Sequence, residues 1–294
     1  MRKKSLLLVT LLGCLFIFSH QSVQAMPHKH VDKTAILLVS FGTSYKVAQK
    51  SMTDIDRMVK KEFPGIEVHW AFTSVIIRRE LAKRGQMIDA PAEAMGKMAA
   101  EGVTRLAVQS LHCIPGIEYN DLKRTVLQFR HIPMCFDKIT LGRPLMYYHA
   151  DIEKLVSALE QNVFPKNMDK HEAVVMMGHG TTSPANVFYA GIQYDFWKAS
   201  PRYIVGTVEG YPTLEDVEYQ LKKNKVKEVW LMPLMSVAGD HARNDMSGTS
   251  HSWQAKLEAL GYQVHPVLKG MGEYPVIAQL WINHLKEAVN ELQK

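Results

Sequence analysis

The chain has 294 residues, is 47% hydrophobic and 22% charged, and carries a formal net charge of +6 with three cysteines. This content supports one large or two medium packed domains and excludes a disulfide scaffold. No cluster of Lys and Arg interleaved with aromatics occurs, so nucleic acid is not an expected partner.

Arg2, Lys3 and Lys4 precede an apolar run from Leu6 to Phe18, which is followed by the small-residue pattern Val23-Gln24-Ala25. This reads as a secretory leader, residues 1–25, cut near Ala25. The run is too short to span a bilayer, so no stable membrane insertion is expected after cleavage. Leu12-Gly13-Cys14 is only partly like a lipid-attachment site, because apolar residues continue past Cys14. Removing the leader takes three positive and no negative charges, so the mature chain falls from +6 to +3. It is expected in the periplasm, where Cys113 and Cys135 remain and sequence alone does not decide whether they pair.

From there β-branched apolar runs alternate with helix-length amphipathic segments, the pattern of βαβ units around a parallel sheet. The predicted strands are Ala35–Ser40, Ile66–Phe72, Arg105–Ser110 and Lys138–Leu141, then Ala173–Met177, Tyr203–Val208, Glu228–Pro233 and Gln263–Val267. Between them, Val47, Ile55, Met58, Val59 and Phe63 form one helical stripe, and Ile152, Leu155, Val156 and Leu159 another. Thr213, three residues before Asp216, is a predicted helix N-cap.

The chain also repeats itself. "ILLVSFGTS" (Ile36–Ser44) aligns with "VVMMGHGTT" (Val174–Thr182), and "LAVQSLHCIPGIE" (Leu106–Glu118) with "VWLMPLMSVAGDH" (Val229–His241). The fold class is therefore α/β, with two similar halves, residues 26–146 and 147–294, meeting near Tyr147 around a cleft. The C-terminal helix of the second half is free to pack back on the first.

In such sheets ligands bind beyond the carboxyl ends of the strands. His179, Glu209 and His241 all fall at predicted strand ends of the second half, 30 and 32 positions apart, about one βα unit each. Neighbouring strands lie ~4.8 Å apart, close enough for the three side chains to converge. Two imidazoles and a carboxylate suit Co²⁺, Fe²⁺, Ni²⁺ or Zn²⁺ and also supply general bases. The first half has Phe41, Thr73 and Glu118 at the matching places, so it is expected to wall the cleft. His112 is a further candidate for lining it, and the backbone N–H groups following Ser40, Gly42 and Gly180 are candidate donors to an anionic substrate. "GMGEYP" from Gly270 is no dinucleotide fingerprint and there is no Walker loop, so no nucleotide is expected. "GHGTT" lacks the arginine of a histidine phosphatase. His28 and His30 belong to a tail, and Arg78/Arg79 and Lys222/Lys223 read as solvated helix faces.

"LLVSFGTSY" (Leu37–Tyr45), "SLHCIPGIEY" (Ser110–Tyr119), "GHGT" (Gly178–Thr181), "VEGYP" (Val208–Pro212) and "PLMSVAGDHARNDMSG" (Pro233–Gly248) together resemble the anaerobic cobalt chelatases of the CbiK type. The resemblance covers nearly all of the mature chain. It implies two flavodoxin-like halves and ATP-independent insertion of Co²⁺ into sirohydrochlorin in the cleft, as in anaerobic cobalamin synthesis, with Fe²⁺ an alternative metal that gives siroheme. It places the family's metal-site histidines at His179 and His241 and its acidic partner at Glu209. The leader departs from the family's usual cytoplasmic setting. A competing reading is a periplasmic carrier of metal, tetrapyrrole or haem that binds in the cleft without turnover. Either reading leaves room for a homo-oligomer.

Overall fold

The computed structural model describes residues 32–294, which form one compact unit; the leader lies outside the described residues. The first half runs β1 (Thr34–Ser40), α1 (Lys50–Glu62), β2 (Glu67–Phe72), α2 (Val75–Lys83), α3 (Pro91–Ala100), β3 (Arg105–Ser110), α4 (Ile117–Phe129) and β4 (Lys138–Gly142). After α5 (His149–Asn162) come β5 (Glu172–Gly178), α6 (Val187–Ala199), β6 (Tyr203–Thr207), α7 (Leu214–Lys223), β7 (Glu228–Leu234), α8 (Trp253–Ala259), β8 (Gln263–Pro266) and α9 (Pro275–Leu292). The strands form two parallel sheets of the same order, β2-β1-β3-β4 and β6-β5-β7-β8. The repeat predicts two such similar α/β halves and the resemblance their flavodoxin-like order, and the strand ends differ from the sequence reading by no more than one residue.

The continuous apolar runs exist because each central strand is covered on both faces. In β1, Ile36 and Leu38 enter a large core shared with the second half, whereas Ala35, Leu37 and Val39 pack against Met95, Met98 and Leu122 on the other side. β5 repeats this, with Val174 and Met176 in the shared core and Ala173, Val175 and Met177 facing Val217 and Trp253. Pro233 is tolerated inside β7 because the ladder with β8 ends at Leu231↔Pro266. Its missing N–H faces the side where no strand continues.

The Ile152, Leu155, Val156 and Leu159 stripe of α5 is buried as expected, and Thr213 caps α7 by accepting the Asp216 backbone N–H. Val47 corrects the other stripe. It is 71% exposed and precedes α1, whose buried face is Ser51, Met52, Ile55 and Val59. A helix starting at Lys50 cannot include Val47, although Met58 and Phe63 do pack on the core.

The two halves share more than a boundary. Helix α9, last in the chain, crosses back and packs on β3 and β4 of the first sheet. Thr140 Oγ1 donates to the Ala288 carbonyl at 2.9 Å, and Arg105 Nη1 to that of Leu292 at 2.9 Å. Arg143 bridges Asp151 of α5 and Glu287 of α9, and His284 of α9 also meets Asp151, at 3.2 Å. Arg143 and the backbone N–H of Tyr148 outweigh the burial of Asp151 and hold its carboxyl below the usual range. Trp281, fully buried in α9, donates its indole N–H to the His112 carbonyl at 3.1 Å, tying the helix to the loop after β3. Trp281→Ala is therefore expected to cost about 3–5 kcal/mol, the range for a buried large aromatic, read as a lower urea midpoint at constant pH.

Candidate metal centre

The register of the second sheet sets the site. Gly178, the last residue of β5, stands opposite Thr207 of β6 and Leu234 of β7, so three neighbouring strands end level. Pairing then continues past the ladder. Val208 N–H donates to the Gly178 carbonyl at 3.1 Å and Glu209 N–H to that of His179 at 2.8 Å. These two bonds bring Glu209 alongside His179.

The glycines flanking His179 have separate reasons. At Gly178 an added Cβ would sit 2.2 Å from the Tyr189 ring, so the strand end must be bare for that ring to lie over it. Gly180 has φ +83°, and a Cβ there would fall 2.6 Å from the Gly210 nitrogen; only glycine meets both demands. Tyr189 Oη accepts the Gly180 N–H at 3.3 Å. Asn186 fastens the two loops together, its Oδ1 accepting the Thr181 N–H at 3.1 Å and its Nδ2 donating to the Tyr211 carbonyl at 2.6 Å. His179 is thus held in a turn whose backbone is pinned at several points.

His241 arrives from the other side. After β7 the chain passes Gly239, which lies close to Thr43 of the first half, and enters a short π-helical turn, Ala242–Met246. Such turns recur at functional sites. His241 stands at its start, and its Nδ1 is 2.7 Å from Asp245 Oδ2. The His179 and His241 rings meet edge to face with centroids 4.3 Å apart. One ligating atom from each of His179, Glu209 and His241 lies within 4.8 Å of the others, the only such group of three or more among the described residues. Both imidazoles are partly shielded, and Glu209 is 58% exposed. The arrangement leaves an open face for a second reactant.

The first half supplies the opposing wall. Phe41, the counterpart of His179, lies 6.4 Å from its ring. The same backbone extension recurs there, with Thr73 N–H on the Ser40 carbonyl at 2.9 Å and Ser74 N–H on that of Phe41 at 3.3 Å. Of the candidate donors, the Thr181 N–H that follows Gly180 is engaged internally, and the N–H groups of the two loop glycines are engaged as well. Gly42 N–H donates to the buried Ser40 hydroxyl at 3.2 Å, Gly180 N–H to Tyr189 and Thr181 N–H to Asn186. These groups shape the loops. His112 is mostly enclosed, with Nδ1 2.9 Å from Ser110 Oγ and Nε2 3.5 Å from Thr73 Oγ1; burial pushes its pKa down to about 4, so the ring is neutral. Cys113 and Cys135 are both free thiols. A separate pocket bounded by Tyr119, Arg143, Tyr148 and Glu287 shares no residue with the His–Glu–His cluster.

Sequence reasoning did not find Tyr189, Asn186 or Asp245. The spacing of Asp245, four residues after His241, was the one readable signal, and it is hidden while that segment is taken for a polar loop.

With the geometry in place, comparison with known proteins is direct. The family model for cobalt chelatase (CbiK) matches residues 34–290. The sirohydrochlorin cobaltochelatase CbiKC of Nitratidesulfovibrio vulgaris is 40% identical over 275 residues, covering 93% of this chain and 97% of that protein. The sirohydrochlorin cobaltochelatase of Salmonella typhimurium is 40% identical over 261 residues, 88% of this chain and 97% of that one. Among solved structures, SirB from Bacillus subtilis with Fe³⁺ superposes with a TM-score of 0.56 at 15% identity, over 87% of this chain and 95% of that one. At that identity the likeness is one of fold.

The buried neutral His112 gives stability a pH dependence. Unfolded, its pKa returns to about 6.5, so below that value the unfolded chain binds a proton that the folded chain refuses. Its contribution is present above pH 6.5 and is lost as the pH falls towards 4. Urea unfolding at pH 7 and pH 4.5 is expected to show a smaller loss in His112→Gln than in the native chain.

Proposed function

This chain belongs to the CbiK family of cobalt chelatases, and on that premise we propose that His179, Glu209 and His241 are the groups that hold and deliver the metal. The protein is a sirohydrochlorin cobaltochelatase, and Co²⁺ is its substrate metal. The observation that carries the residue assignment is the convergence of three ligating atoms within 4.8 Å at level strand ends.

The reaction exchanges two pyrrole N–H protons for one divalent cation. The site must therefore hold a partly dehydrated Co²⁺ against one face of the macrocycle and receive two protons as the metal leaves. Neutral imidazoles do both, because the lone pair that ligates the metal becomes a base once the metal has moved. Glu209 offsets the charge of the cation and, being exposed, passes protons to water. Three nitrogen and oxygen ligands bind firmly enough to strip water yet more weakly than a thiolate set, which suits a site that must release its metal. Phe41 lies across from the His179 ring, an apolar surface for a flat conjugated ring.

We further propose that residues 1–25 are a cleaved leader and that the enzyme works in the periplasm. The basic start, the Leu6–Phe18 run and Val23-Gln24-Ala25 support this. All the proposed site residues lie within residues 32–294, outside that leader. Intact mass of the protein from a periplasmic fraction is expected to match a chain starting at Met26; a full-length mass there would refute cleavage.

The decisive assay follows sirohydrochlorin absorbance anaerobically with Co²⁺ and the purified mature chain. His179→Ala and His241→Ala are each expected to fall to the uncatalysed rate with an unchanged circular dichroism spectrum. Normal turnover in either variant would refute its assigned role. Stoichiometric binding without turnover in the native chain would favour a carrier.

A further inference from the structure

The two histidines are backed by different groups. His179 Nδ1 donates to the Gly180 carbonyl, a neutral acceptor in its own turn, at 3.0 Å. His241 Nδ1 meets the Asp245 carboxylate at 2.7 Å. An ionised carboxylate can only accept, so the proton of the neutral His241 ring lies on Nδ1 and the Nε2 lone pair is left free. The bond is charge-assisted and short.

The local fold is built to make this contact. Residues four apart face each other on a helical turn, and the turn from His241 to Met246 is anchored by the buried side chains of Ala242 and Met246. Ser247 Oγ donates to the Ala242 carbonyl at 3.2 Å, and Gly248 N–H to that of Asn244 at 3.2 Å, closing the turn behind Asp245. A Cβ on Gly248 would fall 2.5 Å from that same Asn244 oxygen. Asp240, the neighbouring acid, is engaged elsewhere, accepting from Tyr45 Oη at 3.0 Å and Asn244 Nδ2 at 2.8 Å.

We propose that Asp245 is a positioning residue for cobalt: by accepting the His241 Nδ1–H it fixes the ring so that Nε2 points at His179 and Glu209. Carboxylate–histidine pairs of this kind set both the tautomer and the orientation of a ligating imidazole. The consequence is a division between the histidines. His241 is the fixed anchor of the site, and His179, whose Nδ1 bonds a neutral carbonyl and lies 3.8 Å from Glu209, is the ligand freer to let go. This inference rests on the metal-site reading above and goes beyond it by assigning a residue outside the cluster.

The test is Co²⁺ affinity without tetrapyrrole, measured from the visible absorption of bound Co²⁺, together with KM and kcat in the insertion assay. Asp245→Ala is expected to weaken Co²⁺ binding by about 10–100-fold and to raise KM for cobalt, leaving KM for sirohydrochlorin and the thermal midpoint near native. Asp245→Asn, whose amide oxygen still accepts the Nδ1–H, is expected to restore most of the affinity. Native Co²⁺ affinity in Asp245→Ala would overturn the proposal, as would equal loss in the Ala and Asn variants, since the carboxylate would then act by its charge or by holding the fold. His241→Ala run in parallel separates the two readings. If it abolishes Co²⁺ binding and Asp245→Ala does not affect it, only the role of Asp245 falls; if His241→Ala also binds normally, the metal site itself falls.

Discussion

Everything at the cleft depends on three parallel strands ending level. A shift of one residue between β5 and either neighbour would turn the strand's side chains to the opposite face and move His179 away from Glu209 or His241. The register is secured by cores on both faces of the sheet. Two backbone bonds beyond the ladder, Val208 to Gly178 and Glu209 to His179, carry it into the loops. The site is thus the continuation of a sheet, and this is what holds its side chains close together.

The duplicated fold divides the work. Both halves extend their first pair of strands by the same backbone bonds, yet one presents an imidazole where the other presents Phe41. Metal chemistry needs ligands on one side of a flat substrate and a surface on the other, and two copies of one architecture with different loop residues provide that. Both halves need glycine at strand ends: an added Cβ would meet Phe72 at Gly42 and Gln109 at Gly142 in the first half. Gly178, Gly180 and Gly210 are each so closely approached that a side chain would collide.

Much of this was legible in the sequence. Strands were readable because both-face burial writes them as unbroken apolar runs, and the repeat gave their order. The His179, Glu209 and His241 positions followed from strand ends and from the resemblance together. What escaped was what periodicity does not encode. Val47 was assigned to a helix because its spacing fits, although the helix starts three residues later. The groups that fix the loops, Tyr189 under Gly178 and Asn186 between two turns, act across the fold and leave no local pattern. That the N–H following Gly180 is spent on Asn186 could not be known until the turn itself was seen. Asp245 was concealed by a π-helical turn in a segment whose polar composition reads as a loop.

The return of α9 to the first sheet has a consequence for how the chain is made. The surface of β3 and β4 stays uncovered until the last eighteen residues of structure, Pro275–Leu292, have left the ribosome. Folding one half at a time, the usual vectorial route, therefore stops short here, because the earlier half lacks its lid until α9 has been made. The first half thus waits, with one face open, for a helix that belongs by sequence to the other half.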